Sequence, residues 1–135
     1  MTILLIRHTH HTPVPDALPL PAQVAGHALT CEQCDSLPAL VRCLQHAHRS
    51  QPAWVLIEAG AANDQQWAAH GPALCAALDA LRAPYIEIAR SDADALDTHL
   101  HPQHAPAVLI CGSEPEHACR LSLAIAARRL QAQEA

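Results

Sequence analysis

The sequence predicts an α/β protein, a three-layer α/β/α sandwich on a five-stranded parallel sheet, in a single domain over residues 1–135. Three observations predict it. Five short apolar runs recur along the chain, as buried parallel strands do. Three longer stretches carry their apolar residues at helical spacing. Strands and helices then alternate through most of the chain, the order that parallel sheets require.

Thr2 to Arg7 is the first strand. His8 to Val24 carries four prolines and little periodicity, so it reads as a loop, and its length suits a lid or binding loop. Gly26 to Cys31 is the second strand. Ser36 to Arg49 is a helix: Asp35 or Ser36 can cap it, Pro38 suits its first turn, and Leu37, Leu40, Val41 and Leu44 share a face. Ala53 to Ile57 is the third strand and runs into Glu58-Ala59-Gly60. A second helix spans Trp67 to Arg82, interrupted near Gly71-Pro72. Tyr85 to Ile88 is a central strand, entered through Pro84 and left through Arg90-Ser91-Asp92. Ala93 to Pro106 is a loop holding His99, His101 and His104. Ala107 to Cys111 is the last strand, and Ser113-Glu114-Pro115-Glu116 forms a capping box that opens a helix to about Gln131.

The chain is one domain long and half apolar, with no Phe or Lys, one Tyr and two Trp, so its core is aliphatic. Thirteen acids against eight Arg give a net charge of −5. That excludes a binder of nucleic-acid phosphates, which needs a basic face, and gives no reason to propose an anionic membrane. No apolar run reaches a membrane span. Met1 to Ile6 stops at Arg7, too short for a signal peptide. Six cysteines on or beside strands and helices suit free thiols in a cytoplasmic protein.

Glu87 is the oddity, since a carboxylate inside a buried strand is costly unless it is paired or hydrogen-bonded. It either points into a polar pocket or faces solvent at an edge. Loops beyond the carboxyl ends of parallel strands are where such folds keep functional residues, and Arg90, Ser91 and Asp92 follow Glu87 there. His8, His10 and His11 end the first strand, and His99, His101 and His104 follow the fourth. Six imidazoles meeting at one sheet edge would suit a transition metal, though their spacing matches no zinc signature. Cys31-Glu32-Gln33-Cys34 is a C-x-x-C without a second pair, which favours two unlinked buried thiols.

Two resemblances enter from these motifs. Ile6-Arg7-His8-Thr9 resembles the opening of histidine phosphatases, and Ala69-His70-Gly71-Pro72 mildly echoes their second His motif, at half the usual separation. The other resemblance covers most of the chain. Thr30 to Ala47 is similar to the strand, loop and helix of type II dehydroquinases that carry a Gln-Ser-Asn-His-Glu-Gly segment. Leu56-Ile57-Glu58-Ala59-Gly60-Ala61 resembles their strand ending in Asn-Pro-Gly-Ala. Ala83 to Asp92 resembles Pro-x-x-Glu-Val-His-x-Ser-Asn, and Ala107 to Gly112 their final strand.

This resemblance implies a flavodoxin-like fold, a homo-oligomer (trimer or dodecamer), and cofactor-free dehydration of 3-dehydroquinate in the shikimate pathway. Such chemistry needs a base, an oxyanion aid and a general acid. The family takes its base from a Tyr, activated by an Arg, on the loop after the first strand. Residues 8–32 contain neither a Tyr nor an Arg. The first-strand Asn aligns with His10, the substrate-binding Asn with Glu58 and the general-acid His with Ala89. Two loop Arg align with Leu96 and Leu100. Glu87, Ser91 and the backbone at Arg90-Ser91 survive, while Asp92 replaces an Asn where an anion should bind.

Losing base, acid and anion clamps together leaves no mechanism, and an anionic substrate facing Glu58, Glu87 and Asp92 is repelled. The sequence therefore points to a lyase-family relative without the dehydratase activity, a pseudoenzyme or small-molecule binder. Its expected ligand-binding residues are His10, Glu58, Glu87, Arg90, Ser91 and Asp92, with no catalytic residue, cofactor or metal assigned. The alternatives are a repurposed enzyme using His10, Glu58, Asp64 and Glu87, with or without a metal, a purely structural role in assembly, and phosphate chemistry at His8.

Overall fold

The computed structural model describes residues 2–8, 21–58, 62–89, 95–100, 102–112 and 115–134. The chain runs β1 (Thr2–His8), β2 (Gln23–Val24), β3 (His27–Cys34), α1 (Leu37–Ser50), β4 (Trp54–Glu58), α2 (Asp64–Ala80), β5 (Tyr85–Ala89), α3 (Leu96–His99), β6 (Val108–Cys111) and α4 (Pro115–Glu134). One sheet holds all six strands in the order β2-β3-β1-β4-β5-β6. Every neighbouring pair is parallel except β2 with β3.

The five expected parallel strands are present, and a sixth, two residues long, adds to them. Ala25 and Gly26 take φ of 51° and 82°, the left-handed pair that a tight hairpin needs, and fold β2 back on β3. Removing β2 leaves five parallel strands in the doubly wound order of flavodoxin-like proteins.

The central strands are apolar along most of their length and successive residues face opposite sides, so the sheet buries both faces. Leu4, Ile6, Val55, Ile57 and Tyr85 meet α1, α2 and α3 through Leu40, Leu44, Leu74, Leu78 and Leu96. Ile3, Leu5, Trp54, Leu56 and Ile86 meet α4 through Cys119, Leu123, Ala126 and Leu130. No helix among the described residues is long and apolar enough to cross a membrane.

Several elements differ from the sequence expectation, and the stretch from Ala93 to Pro106, expected as a loop, contains the short helix α3. β3 continues to Cys34 because its ladder with β1 persists through His8. α2 starts at Asp64, not Trp67: Asn63 caps it by accepting from the Gln66 backbone at 2.8 Å, while Gln66 returns the bond to the Asn63 N–H at 2.9 Å. It also passes through Pro72 without interruption. Proline clashes with the Cβ of the residue before it, and that residue is Gly71. A Cβ there would also stand 3.1 Å from Leu100 Cδ2, so the glycine admits both the proline and the segment after α3.

Candidate functional site

In a doubly wound sheet the crevice lies outside the carboxyl ends of the two strands whose connections leave in opposite directions. Here these are β1, which leads toward β3, and β4, which leads toward β5. The last two residues of β1 are Arg7 and His8, and the last of β4 is Glu58. Ile6 pairs with Ile57 in the ladder, so the register sets Arg7 beside Glu58. Arg7 Nε donates to Glu58 Oε2 at 3.2 Å, with the two side chains 15% and 16% exposed. An ion pair thus sits at the switch point, partly withdrawn from water.

Pleating assigns each residue its face. Arg7 follows Ile3 and Leu5, and Glu58 follows Trp54 and Leu56, so both lie on the α4 face. Cys31 is on that face too, two residues along β3 from the partner of Arg7. Its thiol is pushed up from 9.0, chiefly by partial burial, then lowered by the Arg7 guanidinium and raised again by Glu58. The thiol stays protonated at neutral pH and adds no charge to the pair.

Glu87 follows Tyr85 on the opposite face, that of α1 and α2. It is 1% exposed, and its Oε1 accepts the backbone N–H of Leu96, the first residue of α3. The hydrogen bond expected of a carboxylate inside a strand is thus supplied in part by backbone at the start of α3. Glu58 and Glu87 do not meet, because their side chains leave opposite sides of the sheet. His10, Arg90, Ser91 and Asp92 lie outside the described residues. Asp64 is exposed at the first position of α2.

The histidines after β5 are held by packing. His99 stacks on Trp67 with ring centroids 4.4 Å apart and planes 7° from parallel. His104 Nδ1 lies 3.0 Å from the Leu78 carbonyl, its ring meets Tyr85 edge-on, and its carbonyl accepts from the Tyr85 hydroxyl at 2.8 Å. His10, His11 and His101 lie outside the described residues. Among the described ones, no three His, Cys, Asp or Glu side chains come together as a metal site. Of the phosphatase-like motif, Arg7 pairs with Glu58 and His70 lies in the second turn of α2.

The two thiols of the C-x-x-C are unlinked, as expected, but β3 runs through the motif and only Cys34 is buried. Inside an extended strand, residues three apart face opposite ways. Cys31 is exposed on the α4 face, while Cys34 is buried against α1. Burial raises the Cys34 thiol to about 12, with Cys43 adding to the rise. Cys43, on α1, is raised to about 11 by burial and by its hydrogen bond to Glu32. Sequence reasoning passed over Arg7 as a partner of Glu58. The signal available was two opposite charges, each closing an apolar strand at the carboxyl edge.

No protein-family model and no curated protein matches the sequence. Solved structures match the fold. A 3-dehydroquinate dehydratase-like protein from Bifidobacterium longum superposes with a TM-score of 0.61 at 14% identity, covering 96% of this chain and 98% of its own. A type II dehydroquinase from Butyrivibrio crossotus DSM 2876 gives 0.59 at 14% identity, over 93% and 97% of the two chains. At this identity the likeness speaks for architecture, and the architecture of this chain is the three-layer α/β/α sandwich of dehydroquinase-like structures.

Proposed function

We propose that this chain is a type II dehydroquinase-like protein that does not dehydrate 3-dehydroquinate and instead binds a small molecule at the β1–β4 switch point. The observation that carries this reading is the Arg7–Glu58 pair at the carboxyl edge of the sheet. A cation there, already matched by a carboxylate, is a poor clamp for an anionic substrate and a well-placed recognition element for something else. Two further facts support the loss of the reaction. Residues 8–32 hold no Tyr and no Arg from which to build an activated base. Glu87 is engaged with the Leu96 N–H on the other face of the sheet.

The test is direct. Purified protein mixed with 3-dehydroquinate is followed by the absorbance of the conjugated enone product, and no turnover above the uncatalysed background is expected. Turnover at rates typical of type II dehydroquinases sinks the reading. Self-association of identical copies belongs to the same proposal. It is supported by Leu109 on the edge strand β6 and Leu121 on α4, which are 42% and 43% exposed. Light scattering giving a monomer mass removes that part of it.

A further inference from the structure

Two helices on opposite faces of the sheet present outer surfaces of opposite charge. From Ala68 to Ala80 the exposed residues of α2 are Ala68, Ala69, Pro72, Ala73, Ala76 and Ala80, with Asp79 as the one charged side chain. Asp64 opens the helix, so this smooth strip has an acid toward each end and no Lys or Arg within it. The inner side of α2 is apolar as well, through Trp67, Leu74 and Leu78. A helix that is apolar all round belongs between neighbours on both sides, and the outer side of α2 is open. α4 is the opposite case. Between His117 and Gln133 it has three arginines and no acid. Arg120, Arg128 and Arg129 are exposed and have no carboxylate partner among the described residues. Leu121, 43% exposed, stands among them.

Single exposed alanines need no explanation; the charges decide what each surface takes. α2 against α2 of a second copy sets acid on acid, and α4 against α4 sets arginine on arginine, both costly like-charge contacts. α4 of one copy on α2 of the next matches the signs. A strip of Ala and Pro holds no long side chain that would keep the ridge at Leu121 away. With Leu121 on Ala73 and the helices parallel, Arg128 and Asp79 lie about 10 Å and about 9 Å further along their own axes. Asp79 Oδ1 already accepts the His104 N–H at 3.0 Å, and its Oδ2 lies 4.0 Å from the Cys75 sulfur. A carboxylate has lone pairs beyond these for a guanidinium.

We infer that identical copies assemble head to tail, the arginine face of α4 on the Ala68–Ala80 strip of α2 in the next copy, an inference that rests on the self-association proposed above. Because α2 and α4 cover opposite faces of the sheet, the contact is heterologous and cannot form twice within a twofold pair. It therefore joins three copies or more.

The experiment measures the mass of the full-length protein by light scattering, unaltered and as two variants. Arg120→Glu with Arg128→Glu reverses the charge of α4. Ala69→Arg with Ala76→Arg blocks α2 with residues that keep its helix propensity. Circular dichroism checks that both fold. The unaltered protein is expected at the mass of three copies or more and each variant alone at that of one. An equimolar mixture of the variants is expected to give a one-to-one pair, since each supplies the face that the other lacks. A monomer mass for the unaltered protein overturns both this contact and the self-association. A twofold dimer, or variants that assemble as the unaltered protein does, overturns the contact and leaves the self-association standing. So does a mixture of the variants that stays monomeric at millimolar concentration.

Discussion

Glu87 shows how one residue type carries opposite meanings in sequence and in structure. An acid within Tyr85-Ile86-Glu87-Ile88 marks a special place in the chain, and it is one. Its carboxylate is buried and takes the Leu96 N–H at the start of α3. Removing such an acceptor leaves a buried donor without its partner, so Glu87→Ala is expected to cost about 2–4 kcal/mol in urea unfolding. Glu87→Gln keeps an acceptor oxygen and should cost about half as much. Equal losses for the two variants would show that Leu96 is not the partner that matters. The cysteines give a pH prediction at the same scale. In the unfolded chain the thiols ionise near 9.0, whereas in the fold Cys43 waits until about 11 and Cys34 until about 12. Between these values the unfolded state has released protons that the folded state still holds, so stability falls as pH rises from about 9 to about 12. Urea midpoints at pH 8 and pH 10 check this, and a Cys34→Ala, Cys43→Ala double variant should show the shallower decline.

At the scale of elements, the local rules that matter most are those of the two tight glycines. Gly26 closes the β2–β3 hairpin at φ 82°, with open space where a Cβ would go. Gly26→Ala therefore meets no clash, and its expected cost of about 1 kcal/mol is conformational alone. A change of less than a few tenths in the denaturation free energy would mean that the hairpin relaxes to another turn. Gly71 is the steric case. Its position before Pro72 and against Leu100 couples α2 to the end of α3. The periodicity of Trp67 to Arg82 reveals the helix, while the dipeptide inside it reads as a break. Gly71 carries no Cβ to collide with the proline ring, which removes one of the conflicts that a proline brings to a helix. The N-terminal extension to Asp64 was legible in Asn63-Asp64-Gln65-Gln66, a capping box written with amides instead of Ser and Glu.

For the whole molecule, the two tryptophans report on two cores that share one sheet. Trp54 is buried on the α4 face, and Trp67 on the α2 face, where it donates to the Ala62 carbonyl and carries His99 on its ring. Trp54→Phe and Trp67→Phe each leave a single tryptophan. Their unfolding curves, followed by fluorescence and by far-ultraviolet circular dichroism, are expected to coincide within each variant, because neither core can be exposed without dismantling the strands between them. Separate midpoints would mean that one helical layer detaches before the sheet. The Trp54 indole N–H is buried without a hydrogen-bond partner among the described residues. Trp54→Phe therefore removes an unsatisfied donor along with some volume, and should cost less than Trp67→Phe.

The sequence by itself determined the layers. Short apolar runs separated by amphipathic helices leave few alternatives to a parallel sheet with helices on its faces, because backbone pairing and burial are satisfied together only that way. Helix α1 is legible almost to the residue, since its cap, its proline and its apolar stripe all agree. The tertiary structure decided the site. Whether Glu58 meets Glu87 or Arg7 depends on strand order and on the parity of the pleat, and neither is a local property of the chain. Parity sends Glu87 to one face and Glu58 to the other, while strand order brings β1 next to β4. An acid that looked like part of a catalytic cluster thus binds the start of α3, and an arginine at the end of the first strand completes the candidate site.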